Sequence, residues 1–355
     1  MEGPIRPAIY LAEDLIDEGY YVSVTSPIIL PNAELKLREM GIEALNLGMR
    51  HFSSTSDSSL LWFEAWIYEA LFRLNSRRLG DKNSATINFS QVILAPSFFW
   101  YLQGPPSIAL KDIIVELPLN VKVAYIFLKP IIEMLDGRSI RRGGRISSFL
   151  IANSKFCASM YSKFGLKVND IIYPPLDRRI FHPTTTSPSE NYALAYFGKE
   201  TKFSVIKRIA DLGVKIRAFG SKISFISKEM LKHPNIKFLG RISTSDLVNA
   251  YSNALFTLFP FTHEPFGYIP LESMACGTPT LTYDMQGPGE YVVDGETGWL
   301  ASSDAHIIKK AAEIWREGYP SKIRRECVKR SSVFDRKLYF RKWLKLLDSL
   351  SEVES

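Results

Sequence analysis

The 355-residue sequence has few cysteines, and the ones present exclude two common frameworks. Cys157, Cys276 and Cys327 are scattered, odd in number and lack the spacing of metal ligands. We therefore expect neither a disulfide framework nor a zinc site. Each cysteine is predicted to be a small buried hydrophobic side chain, in a protein of a reducing compartment.

Long apolar runs are also missing. Charged residues at Glu2, Arg6, Glu13 and Asp14 interrupt the apolar region that a signal peptide requires. No uncharged apolar stretch reaches the ~18 residues that a membrane span needs. With 46% hydrophobic and 23% charged residues, the composition is that of a globular protein long enough for two domains. The sequence therefore predicts a cytoplasmic protein.

The net charge of +7 is not accompanied by an RNP or zinc-finger signature, so we expect no nucleic-acid partner. The basic residues concentrate at Arg77 and Arg78, at RSIRRGGR (138–145) and at SKIRRECVKR (321–330). Two interpretations stay open. These runs are solvated faces, or they attract an anionic membrane surface or a phosphorylated acceptor.

The order of apolar runs predicts two α/β domains. From Tyr192 onward, strand-like runs such as YALAYF alternate with helix-like runs such as SVIKRIADLG and KISFISKEMLKH, which is typical of a doubly wound domain over 192–334. A similar but looser pattern predicts a first domain over 1–175. A Pro-, Ser- and Thr-rich stretch predicts a linker over 176–191. Residues 335–355 are predicted to form a basic amphipathic helix that packs back toward the first domain.

The stretch EPFGYIPLESMACGTPT, from Glu264, predicts a helix between two buried strands. Proline is tolerated in the first turn of a helix, so Pro270 places the helix start near Tyr268, and Gly277 is the expected stop. Glu272 then falls in the first turn, and Glu264 in the preceding loop. In a parallel sheet such a helix N-terminus faces the carboxyl edge, where phosphorylated ligands bind.

These features resemble the GT-B glycosyltransferases, in particular glycosyltransferase family 4, the group 1 retaining transferases. Glu264 and Glu272, separated by seven residues, match the signature of that family. Its neighbouring segments are matched by NIKFLGRISTSDLVNAYSNA, GPGEYVVDGETGWL, IANSKF and YPPLDRRIFHP. The resemblance implies two Rossmann-like domains facing across a cleft. It also implies retaining transfer of a hexose from a nucleotide-diphosphate sugar to a glycan or lipid-linked acceptor, without a metal or other cofactor.

The chemistry of the donor fits the same residues. Backbone N–H groups near Gly267 and Tyr268 can bind the diphosphate, since Gly267 lets the backbone approach it. A carboxylate accepts hydrogen bonds from two hydroxyls at once, so we assign Glu272 to the ribose and Glu264 to the hexose. Phe266, inside the signature, is expected at the donor as well.

Positive charge is needed where the diphosphate leaves. Lys199 and Lys202 in FGKETKF follow the first strand of the second domain. The family usually has an arginine after this glycine and a lysine five residues later, where this chain has Ser204. We carry the role over to Lys199 and Lys202, with Arg241 as a further cation. No Asp-x-Asp metal motif follows a predicted strand.

WYLQGPPSIAL resembles a segment of lipid-linked oligosaccharide mannosyltransferases that commonly carries a histidine. Gln103 stands in its place, and no histidine occurs between His51 and His182. Gln103 is expected either to bind the donor or acceptor or only to cap the turn. His263, adjacent to Glu264, is given no catalytic role. The resemblance also predicts peripheral association with the inner face of an anionic membrane, through the basic run 138–145 and the aromatic helix near Trp62 and Trp66.

Three alternatives predict other behaviour. A glycosidase needs two carboxylates about 5 to 10 Å apart across a sugar, which fits Glu272 on a helix poorly. A non-hydrolysing nucleotide-sugar epimerase of the GT-B fold would convert the donor without an acceptor. A non-catalytic basic module that binds membranes or nucleic acid would keep its binding after replacement of Glu264 and Glu272.

The beginning of the chain predicts an incomplete sheet. Ile9 to Glu18 are helical in pattern, Gly19 suits the helix stop, and a strand is expected over Tyr20 to Val24. The strand that should precede this helix has too little chain before Pro7. We therefore expect no strand before Pro7 and a gap in the first sheet, because the natural start lies upstream of Met1 or the chain has been shortened.

Overall fold

The computed structural model describes residues 3–49, 58–72, 85–117, 119–188, 190–220 and 226–351. The basic pair Arg77 and Arg78 and part of the segment 222–233 lie outside these residues. Within the described chain, no helix has both the length and the apolar character needed to cross a membrane.

The N-terminal strands form two separate parallel sheets. One pairs β1 with β2, and the other has the order β3-β4-β5-β6. The strands are β1 (Ser23–Ser26), β2 (Glu43–Asn46), β3 (Ile87–Asn88), β4 (Ser97–Leu102), β5 (Ser147–Ala152) and β6 (Asp170–Ile171). No strand precedes Ser23 in the described residues, and the predicted gap lies between the two sheets. The strand predicted at Tyr20 to Val24 begins three residues later and ends two residues later than expected.

Helices and short 3-10 turns connect these strands. The helices are α1 (Arg6–Asp17), α2 (Pro31–Glu39), α3 (Ser58–Phe72), α4 (Pro106–Ile113), α5 (Leu119–Ile146) and α6 (Lys155–Ser162). The 3-10 turns lie at Gly3–Ile5 and Ile114–Glu116. Gly19 follows α1 with a φ of 87°, which confirms the predicted stop.

The C-terminal strands form one six-stranded parallel sheet in the order β12-β11-β10-β7-β8-β9. These strands are β7 (Ala193–Tyr196), β8 (Ile216–Phe219), β9 (Ile236–Gly240), β10 (Phe256–Phe259), β11 (Thr280–Tyr283) and β12 (Gly298–Ala301). The strand order reverses between β7 and β10. Doubly wound sheets bind their ligands at the carboxyl ends of the strands beside such a point.

The remaining helices follow the strands of this sheet along the chain, and the last of them extends from it to the N-terminal domain. They are α7 (Phe203–Asp211), α8 (Lys228–Leu231), α9 (Thr244–Asn253), α10 (Tyr268–Ala275), α11 (Asp304–Glu317), α12 (Lys322–Ser331) and α13 (Arg336–Ser351). Two further 3-10 turns are Gly287–Glu290 and Ser332–Phe334. The helix predicted over 222–233 is four residues long in its described part, Lys228–Leu231.

Helix α10 confirms most of the local prediction. Gly267 is its N-cap with a φ of 94°, Pro270 is in the first turn, and Gly277 follows the end with a φ of 79°. The flanking strands β10 and β11 are fully buried. One expectation was wrong: Glu272 is the fifth residue of α10 and therefore starts its second turn.

The last helix, α13, packs on the N-terminal sheet. Trp343 is fully buried against Phe99 and Tyr101 of β4, with ring centroids 5.6 and 5.9 Å apart. Arg336, at the start of α13, bonds the Asp14 carboxylate of α1 at 3.0 Å. All three cysteines are free and buried, as predicted.

Candidate functional site

The two domains meet at the loop that carries Glu264. The Ser154 hydroxyl, at the N-terminus of α6, donates to the carbonyl of Pro265 at 2.6 Å. Gly104, after β4, faces the same proline, and a Cβ at Gly104 would lie 3.0 Å from Pro265 Cγ. The loop after β10 is therefore enclosed between the carboxyl edges of both sheets.

Glu264 lies half-buried in this loop and turns back onto the start of α10. Its Oε1 accepts a hydrogen bond from the Phe266 N–H at 3.3 Å. Burial, together with the nearby carboxylate of Glu200, raises the pKa of Glu264 to about 8, while hydrogen bonds from the backbone of Phe266 and Gly267 oppose the rise. A hydroxyl group that donates a hydrogen bond to this carboxyl stabilises its ionised form. Binding of hydroxyl donors would therefore lower the pKa of Glu264 and release its proton.

Lys199 and Glu200 follow β7 and lie beside Glu264. Lys199 Nζ is 3.7 Å from Glu200 Oε1, and its side chain is 48% exposed. Burial raises the pKa of Glu200, although Lys199 and His263 oppose that shift. Lys199 therefore keeps a half-exposed ammonium next to the Glu200 carboxyl group, where it can also contact an anionic ligand.

Lys202 is held by groups of the same domain. Its Nζ lies 2.8 Å from Asp304 Oδ1 and 4.5 Å from the centre of the Tyr283 ring, and the Tyr283 hydroxyl donates to the same carboxylate at 2.6 Å. Burial raises the pKa of Asp304, but the hydrogen bonds from Lys202 and Tyr283 outweigh this effect and lower the pKa overall. Glu116, from the N-terminal domain, also faces Lys202: burial raises the pKa of Glu116 and Lys202 opposes the rise.

Glu272 is buried, and both of its oxygens are bonded to protein groups. Arg6 Nη1 lies 2.5 Å from Oε1, and the Tyr251 hydroxyl donates to Oε2 at 3.1 Å. The Arg6 guanidinium also stacks over the Tyr268 ring at 4.2 Å. A ribose that binds Glu272 must therefore displace Arg6. Nothing in the sequence pattern singled out Arg6 or Tyr251 for this contact.

The other residues of the signature form its packed support. Phe266 is buried, with its ring 6.2 Å from Tyr173. The Tyr291 hydroxyl donates to the Gly267 carbonyl at 2.5 Å. A Cβ on Gly267 would lie 2.7 Å from Pro288 Cγ, so the positive φ and the close packing both require glycine. Among the described residues nothing hydrogen-bonds the buried Tyr268 hydroxyl.

Gln103 and Arg241 make no recorded contact with Glu264 in the described residues. The Gln103 amide donates to the Phe89 carbonyl at 2.9 Å. Arg241 is exposed after β9, and no ion pair of its side chain is recorded in the described part of the chain. The structure brings Glu264 to the start of α10 and next to Glu200, which holds Lys199, whereas Lys202 and Glu272 are paired with Asp304 and Arg6.

Two contacts between the domains were not predicted. The Glu290 carboxylate accepts from the N–H groups of Lys155 and Phe156, at 3.0 and 2.6 Å, and from the Tyr173 hydroxyl at 2.8 Å. It thereby caps α6 from the opposite domain. In the sequence, the one indication of this contact was the position of Glu290 in the GPGEYVVDGETGWL segment.

His263 makes the second contact. Its Nδ1 lies 2.9 Å from Asp112 Oδ2 of α4, the side chain is 5% exposed, and no described group bonds its Nε2. Within the residues that the structure describes, no cluster of three or more histidine, cysteine or acidic side chains could hold a metal ion.

Comparison with known proteins shows what the C-terminal half of the chain is similar to. Residues 209–332 match the model of the glycosyl transferases group 1. An uncharacterized glycosyltransferase of Methanocaldococcus jannaschii is 28% identical over 159 residues, 42% of this chain and 45% of that protein. The alpha-1,3/1,6-mannosyltransferase ALG2 of Eremothecium gossypii is 37% identical over 90 residues, 23% of this chain and 18% of that protein. The matches thus span less than half of these curated relatives.

Solved structures match this chain over nearly its whole length. Sucrose-phosphate synthase from Thermosynechococcus elongatus has a TM-score of 0.73 at 14% identity, covering 99% of this chain and 94% of that one. HepE of Anabaena in complex with UDP has a TM-score of 0.66 at 15% identity, covering 98% and 96%. The GT-B fold and the resemblance to glycosyltransferases are confirmed.

Proposed function

We propose that the protein is a retaining glycosyltransferase that moves a hexose from a nucleotide-diphosphate sugar to a glycan or lipid-linked acceptor. One observation carries the proposal: Glu264 lies at the start of α10, beside the point where the strand order reverses, and the neighbouring Glu200 holds Lys199 in an ion pair. The solved HepE complexes contain UDP and UDP-glucose, and the curated relatives include mannosyltransferases, which supports the donor and acceptor classes.

The donor fits this site in three parts. The ribose hydroxyls replace Arg6 on Glu272, and the diphosphate lies over the backbone N–H groups at the start of α10. The hexose hydroxyls donate to Glu264, whose carboxyl loses its proton as they bind. Each part of the donor then has a partner that bonds it more strongly than water does.

In the transfer step the bond from the anomeric carbon to the diphosphate oxygen breaks. The acceptor oxygen forms its bond to the same carbon on the same face. The proton of the acceptor hydroxyl passes to the departing phosphate oxygen. Lys199, with Lys202 released from Asp304, offsets the charge that develops on the diphosphate. These cations make the proposed reaction independent of a metal ion.

The class of acceptor would determine where in the cell the protein acts. A lipid-linked acceptor would bring the chain to the inner face of an anionic membrane, as a cytoplasmic protein that binds the bilayer peripherally.

A nucleotide screen followed by one substitution tests this proposal. UDP, GDP and ADP sugars are compared by thermal shift, because a bound donor stabilises the folded chain by mass action. The stabilising donor is then used to assay transfer. Glu264→Gln is expected to lower turnover by roughly 10²- to 10³-fold without loss of fold. Glu229→Gln, at an exposed position of α8, is the matched control.

Two outcomes would overturn the proposal. Wild-type turnover in Glu264→Ala would remove the carboxylate from the reaction. Conversion of the donor sugar in the absence of any acceptor would identify an epimerase instead.

A further inference from the structure

Gln286 has a backbone conformation that residues other than glycine rarely adopt. Its φ is 139° and its ψ is 179°. Among the residues that the structure describes, it is the one non-glycine residue with a positive φ. This region of backbone space is essentially restricted to glycine, because the Cβ of any other residue is crowded there. Gln286 is therefore strained, and strain of this kind persists only where neighbouring contacts hold the residue in place.

Two hydrogen bonds from its side chain hold Gln286 in place. The amide nitrogen Nε2 donates to the carbonyl oxygens of Phe261 and Thr262, at 3.1 Å each. Both partners only accept hydrogen bonds, so the NH₂ group must face them and the orientation of the amide is fixed. One side-chain nitrogen thus bonds two consecutive carbonyls of the loop that follows β10. Glycine would fit this backbone without strain, but it could not supply these bonds.

The two bonded carbonyls belong to a short ribbon that joins two loops of the candidate site. The loop after β7 and the loop after β10 pair as antiparallel chains at Thr201 and Phe261. The Thr262 N–H also donates to the Glu200 carbonyl at 2.8 Å. Because Gln286 bonds the carbonyls of Phe261 and Thr262, it braces both loops at once.

The residue after Gln286 contacts the Glu264 loop directly. The Gly287 N–H donates to the Glu264 carbonyl at 3.0 Å. A Cβ on Gly287 would lie 2.3 Å from the Pro265 carbonyl oxygen, so the two chain segments touch at this point. The contacts of positions 286 and 287 therefore hold the loop from Phe261 to Pro265, and Glu264 lies within it.

The positive φ of Gln286 is needed for both contacts. The chain that enters position 286 comes from the fully buried strand β11 and is fixed by the sheet. Rotation about φ moves the side chain and the following peptide together, relative to the chain that precedes them. A negative φ would therefore swing both the Gln286 amide and the Gly287 N–H away from the loop. The strain is thus the cost of aiming two donors at one loop.

We propose that Gln286 is a positioning residue for Glu264. Its strained backbone and its amide together fix the loop over residues 261–265, and through that loop they set the place of the Glu264 carboxyl at the start of α10. The effect on sugar transfer rests on the proposed function, whereas the bracing of the loop does not.

Three variants separate the amide from the strain. Gln286→Gly removes both, Gln286→Ala removes the amide and keeps the strain, and Met285→Gly introduces a neighbouring glycine while both are retained. Met285 is 61% exposed, which makes this substitution the matched control. We expect Gln286→Ala to melt roughly 2 to 4 °C below Gln286→Gly, because alanine is strained at a positive φ and glycine is not.

Hydrogen exchange of the full chain measures the bracing without any substrate. In both Gln286 variants, the backbone N–H groups of residues 261–267 should exchange roughly tenfold faster than in wild type, since two hydrogen bonds to this loop are lost. Met285→Gly should exchange at the wild-type rate in the same segment. Unchanged exchange in both Gln286 variants would overturn the proposal.

Turnover and binding show whether the bracing acts on Glu264. With the nucleotide sugar that stabilises the wild type, both Gln286 variants should lower kcat on the order of 10²-fold, the cost of a misplaced reacting group. Their affinity for the nucleoside diphosphate alone should not change, because that ligand lacks the hexose assigned to Glu264. Met285→Gly should keep the wild-type kcat.

The opposite results are equally clear. Wild-type kcat in Gln286→Gly would show that the amide is not needed to place Glu264. Equal losses of affinity for the nucleotide sugar and the nucleoside diphosphate would show a general disruption of the site, and equal melting temperatures of Gln286→Gly and Gln286→Ala would remove the strain. If the wild type transfers no sugar from any nucleotide sugar, the proposed function fails, and hydrogen exchange still decides the bracing.

Discussion

At the scale of single residues, the Glu264 carboxyl should give the protein a pH-dependent stability. Its ordinary pKa is 4.5, and in the folded chain it is raised to about 8. Between these values the folded state binds more protons than the unfolded state, so this contribution to stability is present at low pH and is lost as pH rises through about 8. Denaturant unfolding of wild type and Glu264→Gln across this range should give curves that diverge by more than ~1.4 kcal/mol, the value of one pKa unit.

Ligand binding provides the control for that measurement. A nucleotide sugar should bind more tightly as pH rises toward and past 8, because the ionised carboxylate accepts two hydroxyl bonds. The nucleoside diphosphate alone lacks the hexose and should not show this dependence. Parallel curves for wild type and Glu264→Gln would contradict the burial of this carboxyl.

At the scale of secondary-structure elements, the first turn of α1 contacts α10 through the Arg6–Glu272 ion pair. Arg6 is 14% exposed and Glu272 is 3% exposed, so Arg6→Ala leaves a buried carboxylate without its cation. We expect a loss of ~3 kcal/mol in the free energy of unfolding. We also expect a larger donor-induced rise in melting temperature than in wild type, because the ligand no longer has to displace a guanidinium.

Arg38→Ala breaks an exposed ion pair with Glu34 and is the matched control. It should change stability by less than ~1 kcal/mol. A smaller donor-induced shift in Arg6→Ala would show that Arg6 binds the donor and does not compete with it.

The elements also separate what the sequence could predict from what it could not. The bounds of α10 were predictable because Pro270 and Gly277 act through local backbone geometry. The same holds for the stop at Gly19. The pairing of Glu272 with Arg6 joins residues 266 positions apart, and the His263–Asp112 contact depends on how the domains face each other. No local pattern carries such information. The sequence therefore predicted neither the Lys202–Asp304 ion pair nor the contacts of both Glu272 oxygens with Arg6 and Tyr251.

For the whole molecule, the contact between Glu290 and α6 should set how closely the domains approach. Glu290→Ala removes two backbone hydrogen bonds and one from Tyr173, each worth about 1.5 to 3 kcal/mol when the acceptor is charged. The radius of gyration from small-angle X-ray scattering should rise. Glu296→Ala, at an exposed position of the same domain, should leave it unchanged. Equal radii for both variants would show that Glu290 does not hold the domains together.

The position of α13 has a consequence for biosynthesis. Trp343 and Tyr339 complete an aromatic cluster whose other members, Phe99 and Tyr101, leave the ribosome long before them. The C-terminal domain has its own core and can close while the last helix is still being made. Until α13 has been made, the N-terminal sheet lacks this aromatic cover, and exposed apolar surface of this kind makes a partly folded chain prone to aggregation.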